Sequence, residues 1–327
     1  MAISQLASHG AVLGPMHHLN VANNRRIPQS IQIVTAVDIL HYGLTCAKFT
    51  LKTQLNASDK LSNERFRSFY GVSPEAYAAL HNDLNQQRSS ENWITCRDLM
   101  MTGCWLKQYQ VEHVMTGQWG MSEHLVGDIT KGTTIMIRSM KEEKISIRNL
   151  NTKLILCYSL DGVNFIVYEP RHDPSSKWYD PKSNSAGLGY LFGLALDSDK
   201  IVIADGGVPA SVNDIKKFRG GDKDCESKWD KSALYYLLPE GVLGIGDSGF
   251  QGEPNKVVVA RHGHSQELKK FISRAKCRQE NLHARLKSFG ILSQRFRHNI
   301  KFHKNVVFAV TVLVQYDLDN GHGLWEM

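Results

Sequence analysis

Apolar residues recur at helical spacing from about residue 62 to residue 140, and beyond residue 151 the period shortens. Phe66 and Phe69 share a helical face that Gly71 closes. Ser73-Pro74-Glu75 reads as a helix start: a capping serine, a proline in the first turn, then an acid. Tyr77, Leu80 and Leu84 follow at helical spacing. A further helix is predicted over 95–107. Residues 111–116 form a short helix that stops at Gly117. A longer helix starts at Ser122, with Leu125, Ile129, Thr133, Met136 and Met140 as its apolar stripe. Short helix, tight turn and longer helix are the outline of a helix-turn-helix, and equally of a plain helical bundle.

Four short apolar runs, 154–160, 163–168, 190–196 and 200–204, read as strands. A helix over 211–219, a fifth strand over 242–245 and a short β-run over 256–259 follow. Leu268, Ile272, Ala275, Gln279, Leu282 and Leu286 step by four and three through a long helix over 265–289. Residues 305–318 form a last apolar helix. Strands first, then mixed strands and helices, predict an α/β mixed fold: a helical, helix-turn-helix-like region followed by a mixed sheet flanked by helices. The division is a mostly flexible N-terminal arm over 1–58, with a short strand or helix near 31–40, a helical region over 59–148 and an α/β domain over 149–327.

Charge sharpens this picture. The chain of 327 residues carries a net charge of +7, a mild bias towards anionic partners. Between Ser265 and Lys304 there are eleven Lys/Arg residues against two acids. Lys276, Arg278, Arg285, Lys287, Arg295, Arg297, Lys301 and Lys304 therefore stand as candidate contacts to a phosphate backbone, with a solvated helix face as the alternative. The six cysteines include no C-x-x-C pair; Cys104 and Cys157 lie in apolar runs and read as small buried hydrophobes in a reducing compartment. His262 and His264 read as a surface loop rather than a metal pair, since no third soft ligand is near in sequence. No apolar run is long enough to span a bilayer, and residues 11–16 are too short and broken for a signal core, so no membrane association is expected.

Three carboxylates stand apart. Asp161 ends one apolar run, Asp247 ends another, and Glu280 projects from the basic helix. Two acids leaving strand ends and a third on a helix can converge on Mg²⁺ or Mn²⁺, which take oxygen ligands and keep several waters. Each aspartate has a plainer reading as the cap of a turn, Asp161 with Gly162 and Asp247 with Gly249. Asp214 follows Pro209 and opens a helix, so it reads as a cap or as a residue supporting the ligands from behind.

That order of acids resembles the RNase H-like catalytic core of DDE transposases, and more closely the PIF/Harbinger type. Asp161-Gly162 is similar to the family's first motif. Lys182-Ser183-Asn184-Ser185-Ala186-Gly187-Leu188-Gly189-Tyr190 is similar to the approach to its second strand, and Gly207-Val208-Pro209 through Asp214 to its turn ending in aspartate. Gly246-Asp247-Ser248-Gly249-Phe250 resembles its Gly-Asp-Ser-Gly-aromatic motif, and Arg278-Gln279-Glu280 with Arg285-Leu286-Lys287 its glutamate helix. Upstream, Arg65-Phe66, Gly71-Val72-Ser73-Pro74 and the segment from Leu106 to Gly120 resemble its N-terminal region. Two departures stand out. Val163-Asn164-Phe165 replaces the usual Thr-His-Ile, and Phe250 replaces a tyrosine. The resemblance covers roughly residues 60–318. It implies catalysis by two Mg²⁺ or Mn²⁺ ions, Asp161 bridging both and Asp247 and Glu280 each holding one, and a freed 3′-OH that attacks target DNA. It also implies DNA partners (transposon ends and target), a homo-oligomer, a separate Myb-like DNA-binding protein and action in the nucleus. A domesticated DNA- or protein-binding factor without cleavage is the alternative.

Overall fold

A computed structural model describes residues 33–49, 59–86, 93–260 and 263–325. The helical part comprises α1 (Ala36–Cys46), α2 (Lys60–Tyr70), α3 (Pro74–Gln86), α4 (Cys96–Gln108), α5 (Glu112–Trp119), α6 (Glu123–Ser139) and the single turn α7 (Lys141–Lys144). Local rules explain most boundaries. Asp59, Thr95 and Ser122 accept backbone N–H bonds as N-caps of α2, α4 and α6, and Gly71 ends α2 at φ 95°, where a side chain would be strained.

Three expectations need correction. The described part of the presumed arm includes α1, closed by a Thr35–Asp38 capping box, with Ile39, Leu40 and Leu44 buried; residues 1–32 and 50–58 lie outside the described residues. Helix α5 runs on past Gly117 and ends at Gly120, in the left-handed region. Helix α6 buries Val126, Gly127, Thr130, Thr133, Thr134 and Ile137, while Leu125 is exposed. Of the expected stripe, Thr133 and Met140 are buried and Ile129 and Met136 pack on the core; Leu125 alone faces out, and the small residues widen the buried face. Small residues let α6 lie close to α4 and to α12 (Ile300–Asp319), and a count of large apolar side chains misses such a face.

The sheet contains β1 (Leu156–Ile166), β2 (Tyr179–Asp180), β3 (Ser185–Ala195), β4 (Ile201–Pro209), β5 (Leu243–Gly246) and β6 (Val257–Val259), in the order β2-β3-β1-β5-β6 with β4 also paired to β3. Strand β1 is antiparallel to β3 and parallel to β5. The two strands expected over 154–160 and 163–168 are one. Asp161-Gly162 does not turn, because β3 continues alongside and pairs Asp161 with Phe192 and Gly162 with Leu191.

One face of the sheet is covered by α8 (Asp214–Arg219), α9 (Leu234–Leu237) and Phe250, packed on Tyr158 and Leu160. The other face meets α10 (Gln266–Lys287), the turn α11 (Gly290–Ser293) and α12. This is the mixed sheet flanked by helices expected of an RNase H-like core. The helical part shares that core: Phe66, Leu80, Trp105, Val126, Phe165, Phe192 and Val310 belong to one continuous apolar cluster. Cys104 and Cys157 are buried as expected. Among the described residues, no helix is long and apolar enough to cross a membrane.

Candidate active site

Side chains alternate along β1, so Ser159, Asp161, Val163 and Phe165 face α10 and α12, while Tyr158, Leu160 and Gly162 face α8. The parallel pairing sets Ser159 beside Ile245, so Asp161 stands beside the end of β5, where Asp247 leaves the sheet. Strand β5 stops there and β1 does not. Asp161 therefore lies mid-strand, at the point where its β1 edge loses its partner.

The plainer reading as a turn cap is realised at Asp247 and not at Asp161, which bonds its neighbour within a continuous strand. Asp161 Oδ1 accepts the Gly162 N–H and Asp247 Oδ1 accepts the Gly249 N–H, each at 2.8 Å. Those bonds fix the carboxylates and still leave a second oxygen on each. Burial pushes the Asp161 carboxyl up from 3.8 to about 6, and the nearby Asp247 and Asp214 carboxylates add to the rise, while the Gly162 N–H opposes it. Two acids thus act on Asp161, from two sides of β1.

Asp214 reaches this group because residue 162 is a glycine. A Cβ there would meet the Asp214 carboxylate at 2.2–2.5 Å. The N-cap of α8 is Asn213, and Asp214 is its first residue, ion-paired with Lys217 at 2.7 Å. Lys217 is 5% exposed, so Asp214 is held by a cation from within the fold. It fits the supporting role better than the capping one.

Glu280 is exposed on α10. Among the described residues, no group of three or more His, Cys, Asp or Glu side chains is arranged to hold a metal ion, so Glu280 does not close a cage with Asp161 and Asp247 here. Its neighbour Gln279 is buried and donates to Ser159 O at 2.8 Å and to Phe192 O at 3.3 Å, pinning the middle of α10 to β1 and β3. One turn on, His283 brings Nδ1 to 3.8 Å from Asp161 Oδ2, with its ring edge-on to Phe192. Burial, with Lys287 and Lys182 nearby, lowers the His283 pKa to about 4. The imidazole is neutral at pH 7, so the contact is not an ion pair. His283 Nε2 is buried with no hydrogen-bond partner. Sequence reading missed His283; the available signal was its position three residues after Glu280, one turn along the same helix.

The donor set suits a hard divalent cation. The Asp161 carboxylate is partly desolvated and feels the charge of Asp247 beside it, which an ion of charge +2 would relieve, and an unengaged imidazole stands next to it.

The basic residues divide into two groups. Arg278 is 4% exposed and donates to Ala195 O, Ser198 O and Asp199 Oδ1; Arg285 donates to His322 O and Gly323 O. Both are engaged within the fold through these bonds. Arg297 is exposed but bonds Tyr109 O and lies over the Tyr109 ring; Arg295 bonds Ser185 Oγ. Lys287, Lys301 and Lys304 are exposed, Lys276 is half-buried, and Lys304 lies 3.8 Å from Asp205. The first turns of α6 expose Glu123 and Asp128, which do not suit a helix reading a phosphate backbone. His262 lies outside the described residues, and His264 is half-buried.

Searches of curated proteins and of solved structures found no match. Residues 160–315 match the family model described as DDE superfamily endonuclease, a stretch that opens one residue before Asp161 and ends within α12. The match supports a DDE transposase family for this chain.

Proposed function

We propose that this chain cuts and rejoins DNA as a transposase of the PIF/Harbinger type, using Asp161, Asp247 and Glu280 to hold two Mg²⁺ or Mn²⁺ ions. The DDE superfamily endonuclease domain itself suggests a metal-dependent nuclease. The observation that carries the finer reading is the β1–β5 parallel pair, which sets Asp161 beside the strand end that delivers Asp247. When bound, the ions would supply Lewis acidity to the attacking water and to the departing 3′ oxygen.

The chain's own groups have defined tasks. The Gly162 and Gly249 N–H groups orient the two carboxylates. Asp214, held by Lys217, presses against β1 from the opposite face and adds negative potential at Asp161. Exposed Glu280 supplies a third carboxylate from α10 once substrate and ions are in place, since hard cations are commonly held by few carboxylates plus substrate phosphates. Lys287 and Lys276 flank it on the same helix and steer the phosphate backbone. A Myb-like partner, assembly into a homo-oligomer and action in the nucleus belong to this proposal through the family resemblance.

The test uses purified protein, duplexes carrying terminal inverted repeats, and Mg²⁺ or Mn²⁺, with and without a Myb-like partner. Nicking and strand joining are expected, and Asp247→Asn should abolish both while binding persists. The alternative, a domesticated DNA- or protein-binding factor, is favoured by the lack, among the described residues, of a closed three-ligand group. Binding without cutting in every arm would select it.

A further inference from the structure

We infer that His283 is a nitrogen ligand of the cation held by Asp161, which makes the centre a mixed oxygen–nitrogen site rather than an all-carboxylate one. This rests on the nuclease reading above and names a residue outside its acidic trio.

The contact itself needs explaining. Nδ1 of His283 faces Asp161 Oδ2 across 3.8 Å. That gap is too long for a hydrogen bond, for which roughly 2.7–3.2 Å is the normal range. Bonds of about 2.0–2.2 Å from one shared ion to an imidazole nitrogen and a carboxylate oxygen would span it. The ring is not loosely placed. Phe192 packs edge-on at 6.0 Å between centroids, and Gln279 fixes the preceding turn of α10 to Ser159 and Phe192. Asp161 is itself paired with Phe192 across the β1–β3 ladder, so carboxylate and imidazole are referred to the same two strands.

The ring also lacks any competing task. Its Nε2 is buried without a hydrogen-bond partner. With Nδ1 serving as the coordinating lone pair, the proton sits on Nε2 and its burial is a cost that ion binding offsets. A histidine there only to fill space against Phe192 would gain nothing over leucine or phenylalanine. Two protein ligands also agree with the absence of a three-residue cage among the described residues, since waters and substrate phosphates complete such centres. Imidazole favours transition ions over Mg²⁺, so the site should prefer Mn²⁺ and Co²⁺.

The experiment is Mn²⁺ titration of the full chain, without DNA, followed by pulsed electron paramagnetic resonance for nitrogen coupling. Wild-type protein should bind Mn²⁺ and show modulation from a directly bound ¹⁴N nucleus. His283→Gln and His283→Phe, the second keeping ring bulk against Phe192, should remain folded by circular dichroism, lose the ¹⁴N modulation and bind Mn²⁺ about 10–100-fold more weakly. Mg²⁺ affinity should fall less. Asp161→Asn should remove the bound Mn²⁺ altogether. Bound Mn²⁺ without ¹⁴N coupling in the wild type, or coupling that survives in both His283 variants, overturns the inference and leaves the nuclease reading standing. Mn²⁺ binding unaffected by Asp161→Asn overturns both.

Discussion

Asp161 is held in a position that disfavours its own charge. In the metal-free protein its carboxyl rises from 3.8 to about 6, mainly through burial, then through Asp247 and Asp214. A raised folded-state pKa means the native chain binds the proton more tightly than the unfolded one. The associated stability is fully present below about pH 4 and is lost as pH rises through about 6. At full strength that displacement corresponds to about 3 kcal/mol; solvent reaching a side chain 32% exposed trims it to about 1–2 kcal/mol. Without metal, Asp161→Asn should therefore be the more stable protein by about 1–2 kcal/mol at pH 7, with the gap closing towards pH 4 in urea titrations. Saturating Mn²⁺ should reverse the order, because only the wild type gains from binding. A variant no more stable than wild type at pH 7 would remove the strain ascribed to this carboxylate.

At the scale of the element, α10 combines two tasks on neighbouring positions. Ile272, Ala275, Gln279, Leu282 and Leu286 pack against the sheet and core, while Lys276, Glu280 and Lys287 lie towards the open side. Arg278 belongs to the packed side despite its charge, since its guanidinium binds the carbonyls at the end of β3 and Asp199. Lys287→Ala should leave stability nearly unchanged and lower the salt dependence of DNA binding by about one counterion. Arg278→Ala should instead destabilise by about 3 kcal/mol, as deleting a buried charged donor strands its acceptors. Binding isotherms over a salt series, beside thermal melts, separate the two. Equal effects of both substitutions on the salt slope would contradict this division of α10.

At the scale of the molecule, the helical part and the sheet are joined by more than apolar contact. Asp317 on α12, 3% exposed, accepts both guanidinium arms of Arg67 at 2.9 and 2.8 Å and the Ser73 N–H at 2.9 Å. The clamp ties the end of α2 and the start of α3 to the last helix. Asp317→Ala should cost about 3 kcal/mol, because Arg67 and the buried Ser73 N–H lose their shared acceptor. Limited proteolysis should not release residues 59–148 as a stable fragment, since the apolar core of that region is continuous with that of the sheet. Recovery of such a fragment, folded by circular dichroism, would show instead that it is a separate domain.

Much of the local structure was legible in the chain. Thr95, Ser122 and Ser265 mark helix starts through side-chain oxygens that accept early N–H groups, and the stripe through Ile272, Gln279 and Leu286 identifies the packed face of α10. The order of acids was equally readable, because Asp161, Asp247 and Glu280 sit in short motifs whose residue types are visible without a fold. Pairing and direction were not. Asp161-Gly162 reads as a turn in one dimension and becomes mid-strand only because β3 lies alongside; α6 presents small residues to α12 because two helices approach closely there. Asp161 and Asp247 are far apart in sequence and become neighbours through the parallel β1–β5 ladder. Arg278 and Lys287 look alike as cations, and burial alone divides them. His283 had no motif to announce it, because what distinguishes it is a distance to Asp161 across two elements. Sequence by itself determined which groups and elements exist, since caps, periods and turns depend on near neighbours along the chain. Which groups meet, and which are taken out of water, was decided by tertiary structure, since contact and desolvation depend on neighbours in space.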